Sequence, residues 1–195
     1  MKRITPGLAL LLLFSLPLLA ALKVGEKAPD FSARGSLAGK EFNFSLADAL
    51  KKGPAVVYFY PSAYTQGCDI EAHTFADMKD QFDAAGVTIV GVSLDSLERL
   101  NQFSADPAYC AGKFPVVSDA GGKISTSYNL TTSARREGMK DVRGVEVDHD
   151  LIERATFVVG KDHTIVARLS SKDDGVSPAD HVKKSLEIVQ GLKGK

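Results

Sequence analysis

Beyond Lys23 the chain alternates short continuous apolar runs with stretches of helical periodicity. Residues 55–60, AVVYFY, form a β-branched and aromatic run of the kind expected for a strand buried on both faces, and residues 87–93, VTIVGVS, form a second. Between them, over residues 68–85, Ile70, Phe75, Met78, Phe82 and Ala85 recur at helical spacings, and Gly86 stands where a C-terminal cap belongs. The pattern predicts a strand, helix, strand unit inside a sheet. A second helix is expected over 96–103 with Leu97 and Leu100 as its apolar contacts, then a strand over 114–117, a turn over 119–122 and a short helix over 123–128. Residues 154–160 and 164–169 predict a hairpin around 161–163. Residues 176–192 predict a closing amphipathic helix, with Val182, Leu186, Val189 and Leu192 on one side and Lys183, Lys184 and Glu187 in solvent. Such alternation is the mark of an α/β domain whose central sheet is flanked by helices. Residues 131–153 break the pattern: dense in charge and poor in apolar periodicity, they predict an exposed loop or insertion.

The N-terminus follows a different rule. A basic start at Lys2 and Arg3, an apolar run over 8–19 and small residues at Ala20 and Ala21 make the three parts of a secretory signal. The run contains Ser15 and Pro17 and falls short of the roughly 20 apolar residues a membrane span needs, so a cleaved signal over 1–21 is expected ahead of a single domain over 22–195. The expected location is outside the cytoplasm, periplasmic or secreted, or a secretory lumen in a eukaryote, with no membrane attachment once the signal is removed.

Twenty-four Lys plus Arg balance twenty-four Asp plus Glu, and loss of Lys2 and Arg3 tips the remainder slightly acidic. That is not the concentrated positive charge of a nucleic-acid binder. Two cysteines are too few for a disulfide scaffold or a cysteine-only zinc site, but enough for redox chemistry. His73, His149, His163 and His181 lie in separate segments without metal-ligand spacing, and the Glu146, Asp148, His149, Asp150 group predicts a solvated loop, so no metal is expected. Asn43 and Asn129 open glycosylation sequons, which matter only on a eukaryotic secretory route, and Ser45 followed by Asp48 serves equally as a helix N-cap.

The chemistry concentrates just after AVVYFY. Residues 61–68 read PSAYTQGC and lead into the helical pattern, which puts Cys68 in a helix's first turn. Free N–H groups and the positive end of the helix dipole favour a thiolate there, lowering the pKa from about 8.5. Thr65 can aim its hydroxyl at the sulfur or cap the helix, and Pro61 adds a rigid wall without a competing donor. Glu71, in the same turn, fits helix-dipole complementarity and is assigned no catalytic role.

The pattern P-x-x-x-T-x-x-C after a buried strand resembles the active-site loop of the peroxiredoxins, and YPSAYTQGCDIEA is most similar to the bacterioferritin-comigratory, or peroxiredoxin Q, subgroup. KVGEKAPDF, FPVVSD and RATFVVGKDHTIV stand in the family's order, so the likeness spans nearly the whole domain. It implies a thioredoxin-like fold and an antioxidant thiol peroxidase that uses no cofactor and reduces hydrogen peroxide, with organic hydroperoxides as further substrates. The matching site residues are Pro61, Thr65, Cys68 and Arg154. A Cys68 thiolate would attack the peroxide, leaving a sulfenic acid, while Thr65, the Cys68 N–H and Arg154 meet the charge on the departing oxygen.

In much of the subgroup a second cysteine lies five residues after the first, and here that position is His73. Cys110 is the candidate resolving thiol by likeness to relatives that carry it near the second helix. A one-cysteine cycle and a static disulfide remain open beside it. The likeness implies a monomer reduced by a thioredoxin-like or other thiol donor. Two rivals stand alongside: a thiol-disulfide oxidoreductase, against which the lack of any C-x-x-C counts, and a non-catalytic thioredoxin-fold binding domain, against which the full residue set counts.

Overall fold

Along residues 55–60 the side chains alternate between two cores, with Val56, Tyr58 and Tyr60 in one and Ala55, Val57 and Phe59 in the other. A strand turns successive side chains to opposite faces, so a run apolar at every position must be covered on both. The computed structural model describes residues 20–192 and supplies that cover. Its elements are β1 (Ser32–Leu37), β2 (Lys40–Ser45), α1 (Leu46–Lys52), β3 (Ala55–Phe59), α2 (Gln66–Ala84), β4 (Thr88–Ser93), α3 (Leu97–Ala105), β5 (Val116–Ser118), α4 (Lys123–Ser127), β6 (Thr132–Ser133), β7 (Leu151–Ile152), β8 (Ala155–Val159), β9 (Ile165–Ser170), α5 (Ser171–Asp174) and α6 (Pro178–Leu192).

Seven strands form one mixed sheet in the order β2-β1-β5-β4-β3-β8-β9. β5, β4 and β3 run parallel at its centre, and antiparallel pairs extend it on both sides. Phe75 and Phe82 of α2, Leu100 and Phe103 of α3, and Val182, Leu186 and Val189 of α6 fill one core; Leu46 and Leu50 of α1 and Ile124 of α4 help fill the other. The predicted central strands, hairpin and closing helix are all present. Gly86 follows α2 at φ +71, a left-handed turn that glycine enters freely.

Some expectations need correction. Ile70 is 46% exposed, because the buried face of α2 runs through Cys68, Glu71, Ala72 and Phe75 instead, and Leu192, the last residue of α6, is 36% exposed. The hairpin of β1 and β2 and the helix α1 were not expected as elements, although Ser45 does cap α1 by accepting the Asp48 N–H at 3.2 Å. Residues 131–153 are not simply an exposed loop. They form the β6–β7 pair and bury Asp141, Val147 and Ile152. Of the expected signal over 1–21, residues 1–19 lie outside the described residues, while Ala21, with Leu22 after it, packs on the second core.

Candidate active site

β3 ends at Phe59 inside the sheet, and the chain crosses to α2 through residues 60–65. Thr65 is the N-cap of α2, which sets Cys68 in the helix's first turn, as its spacing predicts. The Thr65 hydroxyl donates to the Ser62 carbonyl at 2.7 Å and stands within reach of the sulfur. Pro61 opens the loop, half-buried, and Ser62, Ala63 and Tyr64 behind it are buried.

Arg154, one residue before β8, reaches across to this turn. Its Nη2 donates to Cys68 Sγ at 3.1 Å while its Nη1 is paired with Glu71 Oε2. Gly67 leaves room for it: a Cβ there would lie 3.2 Å from Arg154 Nη2 and 3.5 Å from Pro178 Cγ. The four residues singled out as catalytic therefore share one small region, and Glu71 joins them as the group that fixes the fork of the guanidinium.

The acidity expected for Cys68 is not met. The side chain is almost fully buried, and that burial pushes the thiol up from its ordinary value. Against it act the Arg154 charge, the Thr65 hydroxyl and a backbone hydrogen bond from Ser62. The donors stand where negative charge would have to be held, but loss of water outweighs them for the resting thiol. Burial likewise pushes Glu71 up to about 7 against the pull of Arg154, and Glu71 Oε1 has no hydrogen-bond partner. Burial lowers the pKa of Arg154, yet the Cys68 sulfur and then Glu71 raise it further, so it remains a cation.

Cys110 is a free, fully buried thiol in the loop after α3, and it shares one apolar core with Cys68. Burial pushes it well above its ordinary value, with Asp106 and Asp69 adding to the effect. His73, five residues after Cys68, ties this loop to α2 through a 3.1 Å contact from Nδ1 to the Ala108 carbonyl.

A second layer escaped the sequence reading. Asp95, just after β4, has a fully buried carboxylate that accepts from Ser62 Oγ at 2.9 Å, the Ala63 N–H at 2.8 Å and Ser93 Oγ at 2.7 Å. Arg99 of α3 donates from Nη2 to the Ala63 carbonyl and to Asp141 Oδ2, each at 2.8 Å. His149, expected in a solvated loop, instead lies 2.8 Å from Asp95 Oδ1. Ser62 stands 33 positions from Asp95 and 87 from His149, so no local spacing announces these pairs.

Residues 24–168 match the AhpC/TSA family. Peroxiredoxin Bcp of Bacillus subtilis is 29% identical over 174 residues, which covers 89% of this chain and 99% of that protein. The crystal structure of peroxidoxin BcpB from Mycobacterium tuberculosis superposes with a TM-score of 0.70 at 25% identity, covering 88% of this chain and 98% of that one. The bacterioferritin comigratory protein of Xanthomonas campestris, described for its alkyl peroxide reduction activity, gives a TM-score of 0.62 at 28% identity over 82% of this chain and 90% of its own.

Proposed function

The chain belongs to the AhpC/TSA family, a thiol-dependent peroxidase of thioredoxin-like fold, and from that premise we propose that Cys68 is its peroxide-reducing sulfur, Cys110 its resolving thiol, and Pro61, Thr65 and Arg154 the frame in which the first reacts. The observation that carries this reading is the 3.1 Å hydrogen bond from Arg154 Nη2 to Cys68 Sγ. It joins a buried cysteine at a helix N-terminus to a permanent cation, a pairing that supports the role of nucleophile.

In the first step the Cys68 thiolate attacks one peroxide oxygen. An S–O bond forms, the O–O bond breaks, and the departing hydroxide or alkoxide takes a proton and leaves as water or alcohol. Cys68 is then a sulfenic acid. Charge grows on the leaving oxygen beside Arg154, the Thr65 hydroxyl and the helix N–H groups, where one placed donor is typically worth about 3 kcal/mol. In the second step the Cys110 thiol attacks Cys68, an S–S bond forms and water leaves. A dithiol donor of the thioredoxin type then reduces the disulfide. Cys110 is inert while buried, so this step needs its loop to open. Hydrogen peroxide and organic hydroperoxides are the substrates, the protein acts as a monomer, and the signal-like residues 1–21 direct it out of the cytoplasm.

Mass spectrometry after one equivalent of peroxide tests the assignment. Wild type is expected to lose two hydrogens and yield linked Cys68 and Cys110 peptides; Cys68→Ser to leave Cys110 unoxidised; Cys110→Ser to gain oxygen at Cys68. An oxidised Cys110 in Cys68→Ser would overturn the roles.

A further inference from the structure

His149 and the segment 131–153 take no part in the steps above, yet they are bonded to the loop on which those steps depend. The Asp95 carboxylate that holds Ser62 and Ala63 also faces His149 Nε2 at 2.8 Å, with Arg99 Nε 3.0 Å from the same oxygen. The other ring nitrogen, His149 Nδ1, lies 2.7 Å from the Asp150 carbonyl oxygen. Both partners are acceptors. A neutral imidazole has a single N–H and would leave one of these contacts with lone pair facing lone pair, so the geometry selects the imidazolium. The electrostatics agree: burial pushes His149 down, but the hydrogen bond and charge of Asp95, the Asp150 carbonyl and the Asp148 charge outweigh it and hold the ring above its ordinary value.

The far end of the network is the peroxide-reducing turn. Ser62, bonded to Asp95 through its hydroxyl, gives a backbone hydrogen bond to Cys68 and accepts the Thr65 hydroxyl on its carbonyl. Tyr64 is held at φ 61, a left-handed conformation that a non-glycine residue keeps only where its surroundings impose it. What imposes it comes from the same segment as His149: the Val142 N–H donates to the Tyr64 carbonyl at 2.9 Å, and the Arg143 guanidinium lies 3.3 Å from the centre of the Tyr64 ring.

We infer that protonated His149, acting through Asp95, is a positioning residue for the peroxide-reducing step, holding the Ser62–Ala63 turn so that Ser62 presents its hydrogen bonds to Cys68 and Thr65. The titratable groups facing the ring are Asp95 after β4, Arg99 on α3, and Asp148 and Asp150 beside it; the turn before α4 adds Ala120, Gly121 and Gly122, none of which titrates. Because the folded pKa of His149 is raised, the alignment is complete below about pH 6.5 and is lost as pH rises through the folded value. The Cys68 thiolate fraction moves the opposite way. A plot of log rate against pH should therefore climb and then bend downward where His149 titrates.

The inference rests on the assignment of Cys68, and the test separates the two. The second-order rate constant of the reduced full chain with hydrogen peroxide is measured from pH 5.5 to 9 for wild type, His149→Gln, His149→Lys and Cys68→Ser, while NMR follows the His149 ring in wild type. The wild-type bend is expected to coincide with the ring's titration. Glu71, pushed up to about 7, also ionises in this range, so each profile is repeated with Glu71→Gln added. His149→Gln should be about tenfold slower at pH 6.5, the worth of one charge-assisted hydrogen bond, and with Glu71→Gln should show no bend. His149→Lys, charged to about pH 10, should recover most of the rate and with Glu71→Gln also run straight. A bend that, with Glu71→Gln alone, is missing or more than about one unit from the ring's titration overturns the inference, as does a bend that survives when His149→Gln and Glu71→Gln are combined. The wild-type comparison needs no variant to fold. Activity remaining in Cys68→Ser would sink the Cys68 assignment itself; an inactive Cys68→Ser with an unbent wild-type profile would remove only the role of His149.

Discussion

Arg154 is one cation with two acidic neighbours, and the state of one neighbour governs what the other receives. Glu71 has its pKa pushed up to about 7 by burial. Below that value it is neutral, and the guanidinium charge acts on the Cys68 sulfur alone; above it the carboxylate competes for the same charge. Glu71→Gln keeps a hydrogen-bonding oxygen for Arg154 but never ionises. Its Cys68 should match wild type in peroxide reactivity below pH 6 and exceed it by roughly three- to tenfold at pH 8, the scale of a nearby like charge removed. Stopped-flow rates at the two pH values check this, and an equal ratio at both would show that Glu71 does not titrate in this range. The loop's chemistry was readable because Pro61, Thr65 and Cys68 fall within eight contiguous residues. The acidity of the thiol was not. A helix N-terminus argues for a lowered pKa, and only the folded packing around Cys68 reveals a burial cost that exceeds it.

At the scale of elements, the loop after α3 is tied to α2 by two side chains. His73 Nδ1 meets the Ala108 carbonyl at 3.1 Å, and Lys113 Nζ donates to the Ala76 carbonyl at 2.8 Å, on either side of Cys110. Resolution requires this loop to leave α2, so each tie slows it. His73→Ala removes one exposed hydrogen bond and should speed disulfide formation after Cys68 oxidation by roughly two- to tenfold, with the oxidation rate itself unchanged. Rapid quenching followed by mass spectrometry reads both steps, and an unchanged disulfide rate would mean that the loop opens without breaking this contact. Elements with strong periods were legible from the chain: β3, β4 and α2 announce themselves by residue type alone. β1 and β2 were not, since SARGSL and KEFNFS carry few apolar residues and bury only Gly35, Ser36 and Phe44 between them. The segment 131–153 reads as solvated because its charges find their partners in distant elements: Asp141 in Arg99, and His149 in Asp95.

Over the whole molecule, buried ionisable groups pull stability in opposite directions as pH falls. His181 of α6 is fully buried between Thr156 Oγ1 at 2.9 Å and Ser171 Oγ at 3.0 Å, and burial, with the Arg154 charge, pushes it down to about 4. Between pH 6.5 and 4 the unfolded chain therefore takes a proton that the folded chain refuses, and stability is lost across that window. Glu71, pushed up to about 7, and Asp69, pushed up to about 6, do the reverse. Each is protonated in the fold before it is protonated in the unfolded chain, so stability is gained on acidification until the unfolded carboxylates also take up protons near pH 4. Asp95 and Asp141, held below their ordinary values, add a loss only at still lower pH. Wild type should thus show a shallow dependence between pH 7 and 4.5 that conceals steep components. His181→Gln keeps one polar group between Thr156 and Ser171 but cannot take the proton. Its stability relative to wild type should improve by roughly 2 to 3 kcal/mol on going from pH 7 to pH 4.5, because burial and the Arg154 charge hold His181 down at about 4 while the unfolded imidazole titrates near 6.5. Urea unfolding of both proteins at the two pH values measures that difference directly. Parallel curves would show that the proton on His181 is equally welcome in the folded and unfolded chains, and that the pH dependence of this fold is set by its carboxylates.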